Sequence, residues 1–157
     1  MFGKLLKNYI IYIRGVRNLS LRVQFTPNVL LKLEKIKSLK IKQDQPFNQE
    51  NQDYYLYIHR QLGGCAGMKF TFALFSKDKL KDNAVVLLEP TSSRAGVATD
   101  KESTEYLNNT VLDYCSLSSH SDPKALNLKS EFTIRRIDSR YTCGCGKSFN
   151  PRRWTNN

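Results

Sequence analysis

Between residues 54 and 76 the chain runs YYLYIHRQL, then GGCAGM, then KFTFALFS. The two outer runs are rich in aromatic and β-branched residues, and Phe70, Phe72 and Leu74 fall on one side of a period-two pattern. Such runs predict two strands, with GGCAGM as the joining loop. That pairing constrains the fold more than any other feature, because the remaining elements must complete a sheet around it. It also gives Cys65 a particular setting, since Gly63, Gly64 and Gly67 strip side-chain bulk from around the thiol.

The rest of the chain supplies partners for that pair. Thr26-Pro27 reads as a helix start, with Thr as N-cap and Pro in the first helical position. Val29, Leu30, Leu33 and Ile36 then form one apolar stripe with lysines opposite, which predicts a helix over 27–39. Residues 43–53, QDQPFNQENQD, are polar and low in complexity and predict a loop or tether. Past the charged link KDKLKDN, the stretches AVVLLE and GVATD predict short strands, and Asp100 is placed to cap a brief helix, KESTEYL. Asn108-Asn109 turns the chain into TVLDYCSL, SSHSDPKALNLKS reads as loop, and EFTIRRI is a last strand leading to YTCGCG. Many short strands with two helices predict a strand-dominated α+β domain, with a curved sheet or sandwich.

A chain of 157 residues buries one core, so a single domain with tails is expected. No run of eighteen apolar residues could form a transmembrane segment. The net charge of +11 prompts a search for nucleic acid, but its distribution argues against that partner. Residues 1–25 carry Lys4, Lys7, Arg14, Arg17 and Arg22 and no acid, while later lysines are scattered among acids. An acid-free leader mixing apolar residues with spaced cations has the composition of an organelle transit peptide; a basic amphipathic helix lying on the domain or on a membrane surface is the plainer alternative. The expected organisation is therefore a transit peptide or flexible leader over 1–25, a domain over 26–150 and a basic tail over 151–157.

Thiolates are the natural ligands of zinc, copper(I) and iron-sulfur clusters. Cys143 and Cys145 stand one residue apart and each is followed by glycine, so the backbone can wrap until both sulfurs face one point. With Cys65 they supply three thiolates. Structural zinc prefers four closed ligands, and neither CxxC pairs nor a neighbouring histidine completes such a set. His59, in a strand pattern, and His120, in a polar loop, read as ordinary structural or surface residues. Cys115, without flanking glycines, reads as a small buried hydrophobe. Arg140, Lys147, Arg152 and Arg153 would favour thiolate over thiol, or serve as a solvated tail.

At these residues the sequence resembles the A-type iron-sulfur carriers of the HesB-like family. Gly63-Gly64-Cys65-Ala66-Gly67-Met68 is similar to the family's first cysteine loop, Val97 to Ser103 to its VVVD-x-x-S segment, and Leu112-Asp113-Tyr114 to its LDY strand. Cys143 to Phe149 reproduces its CGCGxSF tail. The likeness runs from about Thr26 to Asn150 in the same order. It departs at Arg136-Ile137-Asp138, where family tails carry an NPN-type turn, and in the longer 43–53 loop.

The resemblance implies a HesB-like β-rich pseudo-barrel or sandwich with two short helices. It implies a homodimer, or a heterodimer with a sister A-type protein, holding a [2Fe-2S] or [4Fe-4S] cluster through Cys65, Cys143 and Cys145 between subunits. The implied role is a carrier rather than an enzyme, handing clusters to apo iron-sulfur proteins. For a eukaryotic member it further implies the mitochondrial matrix, a monothiol glutaredoxin donor and a folate-binding-like assembly factor. The residues alone leave a mononuclear iron or zinc module open as the alternative. A thiol redox enzyme is disfavoured, since a CxC pair lacks the helix-borne CxxC setting.

Overall fold

The computed structural model describes residues 9–13, 21–43, 52–117, 129–137 and 148–154. The expected hairpin forms the centre of a five-stranded sheet. Its strands are β3 (Tyr54–Leu62) and β4 (Met68–Ser76), paired antiparallel from Tyr54↔Ser76 to Leu62↔Met68. On one side β6 (Gly96–Thr99) runs parallel to β3, with β5 (Val85–Leu88) beyond it; on the other, β9 (Ser148–Phe149) pairs with β4. A second, four-stranded sheet has the order β1 (Tyr9–Ile13), β2 (Leu21–Phe25), β7 (Thr110–Leu117), β8 (Lys129–Arg136). Among the described residues neither sheet closes into a barrel, and α1 (Pro27–Gln43) and α2 (Lys101–Leu107) complete the strand-dominated α+β architecture.

One core joins the two sheets. Phe25, Val29, Leu33, Ile58, Val97, Leu107, Leu112 and Phe149 are all essentially inaccessible to solvent. Alternation along β3 turns Tyr54, Leu56 and Ile58 inward, while Phe70, Phe72 and Leu74 of β4 pack against the same cluster. Gly96 is buried where a Cβ would stand 2.7 Å from the Leu88 carbonyl oxygen and 2.8 Å from the Tyr55 ring, so β5 and β3 approach it as closely as they do because it has no side chain.

The structure departs from the expected organisation at the leader boundary and along the first helix. The boundary after residue 25 falls inside the folded unit: β2 pairs parallel with β7, and Val23 and Phe25 lie in the core. Apolar Leu21, Val23 and Phe25 alternate with Arg22 and Gln24, a half-buried strand pattern that the leader's charge obscured. Helix α1 begins at Pro27 with Thr26 in the N-cap position as expected, its carbonyl accepting from the Val29 and Leu30 amides, while its hydroxyl donates to Asp113 Oδ1 (2.6 Å) across to β7. That helix also runs four residues further, to Gln43. Its lysines are not all opposite the stripe, because Lys37 continues it inward, donating to the Thr91 carbonyl at 2.6 Å with Asp53 Oδ1 3.7 Å away. In the tail, Pro151–Trp154 form a short helical turn, α3, with the Arg152 amide donating to Asn150 Oδ1.

The Asp100 cap is as expected. Its side chain accepts from the Ser103 amide at 2.7 Å and the Ser103 hydroxyl at 2.9 Å. Asn109 takes a left-handed φ of 55° at the turn into β7, a conformation asparagine tolerates better than most residues. Residues 44–51, most of the 43–53 loop, lie outside the described residues, as does His120.

Candidate metal centre

The loop joining β3 and β4 owes its shape to three glycines. Gly63, Gly64 and Gly67 have φ of 138°, 77° and 104°, in the region L side chains rarely adopt, and the Gly63 amide closes the loop on the Gly67 carbonyl at 2.9 Å. Cys65 is held in this glycine-lined loop, as expected, and is exposed to solvent. Beside it Leu62 is 78% exposed, an unusual state for a leucine ending a strand.

The segment that follows the two tail cysteines is seated against this loop. Ser148 pairs with Lys69 and Phe149 with Met68, and both residues are buried. Phe149 stacks on Phe70 (4.8 Å between centroids) and lies 5.8 Å from Tyr106. The Ser148 hydroxyl accepts from the Ala66 amide at 3.3 Å and stands 3.1 Å from Cys65 Sγ. Gly64 makes this approach possible, since a Cβ there would lie 2.7 Å from Ser148 Cβ. Cys143 and Cys145 themselves fall outside the described residues. Sequence reasoning assigned no role to Ser148, although its place directly behind CGCGK was the available signal.

A cation lies near the base of the loop. Arg60 Nη2 pairs with Glu102 Oε2 at 3.1 Å, Nη1 reaches Met68 Sδ at 4.0 Å, and the guanidinium sits 5.1 Å over the Tyr106 ring. The cations expected to matter contribute little that can be described: Arg152 is exposed, and Arg140 and Lys147 are not among the described residues.

The other candidates separate from this centre. His59 lies on β3 as expected and is mostly exposed; its Nδ1 is 2.7 Å from Asp100 Oδ2. Burial pushes the Asp100 carboxyl up, but the hydrogen bonds from His59 and Ser103 outweigh it, and the group titrates below its ordinary value. Cys115 is on β7 but exposed, contrary to the buried reading. Partial desolvation pushes its thiol up, aided by the nearby Asp113 carboxylate, and a thiol kept protonated is a poor ligand. Among the described residues no three His, Cys, Asp or Glu side chains converge as a metal site, and no helix is long and apolar enough to cross a membrane.

No family model matches the chain. Individual proteins do. An iron-sulfur cluster insertion protein ErpA from Buchnera aphidicola is 27% identical over 128 residues, covering 81% of this chain and 91% of its own. The protein of the same name from Xanthomonas oryzae is 30% identical over 100 residues, 63% of this chain and 66% of that one. In three dimensions the fold is similar to the crystal structure of IscA with the [2Fe-2S] cluster, with a TM-score of 0.51 at 21% identity over 82% of this chain and 96% of that one. The chain belongs to the A-type, HesB-like family. A second such fold, Escherichia coli SufA, involved in biosynthesis of iron-sulfur clusters, aligns with a TM-score of 0.50 at 17% identity over 87% of this chain and 99% of its own. The HesB-like resemblance first carried by the cysteine loops thus extends to the arrangement of both sheets.

Proposed function

We propose that this A-type protein binds an iron-sulfur cluster, [2Fe-2S] or [4Fe-4S], through Cys65, Cys143 and Cys145 at a subunit interface and passes it to apo iron-sulfur proteins. The observation that carries the reading is the contact of Cys65 Sγ with Ser148, because Ser148 follows Cys145 by three residues. Three residues of extended chain reach at most about 11 Å, so Cys145 is tethered within that distance of a residue that touches Cys65. An exposed thiol in a glycine-lined loop also suits stepwise exchange, in which an incoming cysteine takes an iron as a resident sulfur releases it.

Three ligands from one chain leave a cluster short of a complete set, which favours a homodimer or a mixed dimer with a sister A-type protein. The same reading takes a monothiol glutaredoxin as donor and a folate-binding-like factor as co-worker. It places the protein in the mitochondrial matrix, with the targeting information in the basic leader over 1–25, within which Tyr9–Ile13 and Leu21–Phe25 also pair as β1 and β2. A fluorescent fusion to those residues is expected in mitochondria, and diffuse cytosolic signal refutes that part.

Anaerobic reconstitution tests the central claim. Broad visible charge-transfer absorption is expected, with native mass spectrometry giving iron, sulfide and two subunits together. Cys65→Ser, Cys143→Ser and Cys145→Ser should each abolish or sharply reduce it, whereas Cys115→Ser should not. A single zinc with no visible absorption, or a single iron with no sulfide, would establish the mononuclear alternative instead.

A further inference from the structure

The Ser148 hydroxyl occupies a position the cluster reading does not by itself require. It is buried beneath the Cys65 loop, accepts a hydrogen bond from the Ala66 amide at 3.3 Å, and lies 3.1 Å from Cys65 Sγ. Gly64 leaves open the space it fills, and pairing of Ser148 with Lys69 and Phe149 with Met68 sets its height along β4. A thiolate has no proton to give. When Cys65 is ionised, the bond between the two must therefore run from the hydroxyl to the sulfur, in a relay from Ala66 N–H through Ser148 O–H to Sγ.

We infer that Ser148 is a positioning residue for the cluster ligand Cys65: its hydroxyl latches the tail segment onto the loop and donates a hydrogen bond to the ligating sulfur. Two consequences follow from one group. Seating of the segment that carries Cys143 and Cys145 is tied to the state of the loop thiol. The bond also stabilises negative charge on the sulfur, and hydrogen bonds to ligating sulfurs raise the reduction potential of a cluster by favouring its more negative, reduced form.

The second consequence rests on the cluster-carrier reading, and the first does not, so the test has two arms. Ser148→Ala removes only the hydroxyl. In the apo protein its Ala66 amide should exchange with solvent about tenfold faster, the loss expected when one hydrogen bond is removed, while the thermal melt remains cooperative. In the reconstituted protein the midpoint potential should move to more negative values, a readout that a merely structural contact would not shift. Unchanged Ala66 exchange overturns the latch, and an unchanged potential in a fully loaded variant overturns the hydrogen bond to the ligating sulfur. If the wild-type protein itself takes up no cluster, it is the proposed function that fails, and the exchange rate alone then decides for or against Ser148.

Discussion

Removing residues 1–25 should do far more damage than removing 1–20, although the two deletions differ by only LRVQF. The longer deletion takes away β2, and with it Val23 and Phe25, both buried in the core. It also removes the parallel register Val23↔Thr110 to Phe25↔Leu112 and the Arg22 amide that donates to Asn108 Oδ1 at 3.0 Å. Fully burying a Val or Phe side chain contributes about 1.5–3 kcal/mol, so the two together account for about 3–6 kcal/mol of a domain's usual 5–15 kcal/mol. The assay is urea unfolding followed by circular dichroism on chains starting at Leu21 and at Thr26. The chain from Leu21, which loses the edge strand β1 but keeps β2, should still unfold cooperatively, and the chain from Thr26 should show a much lower midpoint or no cooperative transition. In the full-length protein, Phe25→Ala should cost about 3–5 kcal/mol by itself. Equal midpoints and equal m-values for the two truncations would refute the argument and return β2 to the leader.

Gly96→Ala should destabilise the apo protein by about 1–3 kcal/mol through overpacking against Leu88 and Tyr55; an unchanged melting temperature would show that β5 can give way. Asp100→Ala should cost about 0.5–2 kcal/mol near neutral pH by uncapping α2. Because the folded-state value of Asp100 is depressed, its contribution is complete above the unfolded value of about 3.9 and is lost as pH falls through the folded value. The stability gap between wild type and Asp100→Ala should therefore close on acidification below about pH 4, and a gap that persists there would mean the carboxylate is not its source. Gly64→Ala should unseat the tail segment by driving a Cβ into Ser148, measurable as loss of amide protection at Phe149.

Much of the fold was readable because its strongest elements are local. The hairpin from Tyr54 to Ser76 announces itself by alternation, α2 by the Asp100 cap, and the Cys65 loop by glycines whose positive φ values the structure confirms. What escaped was non-local. Lys37 is buried because Thr91 and Asp53, distant in sequence, happen to receive its ammonium group. A two-residue strand such as β9 is too short to carry a periodic signal, and its existence depends on Met68 and Lys69 as partners. Cys115 was misread for a related reason: a residue in a strand has two faces to choose between, and its own neighbours in sequence do not say which one the core takes. The role of Ser148 was missed because a serine beside cysteines becomes informative only once the loop it meets is in view.

The described residues on either side of the CxC pair are both anchored. Upstream, the Ile137 amide donates to the Asn109 carbonyl at 3.0 Å; downstream, Ser148 and Phe149 are packed under the hairpin. Closure entropy grows slowly with length, by about 0.6 kcal/mol for each doubling of a flexible span. A change in the number of residues between these moorings should therefore cost little. A one-residue slip at the downstream mooring would instead swap which of Ser148 and Phe149 faces the thiol, so the register there tolerates far less change than the length of chain before it.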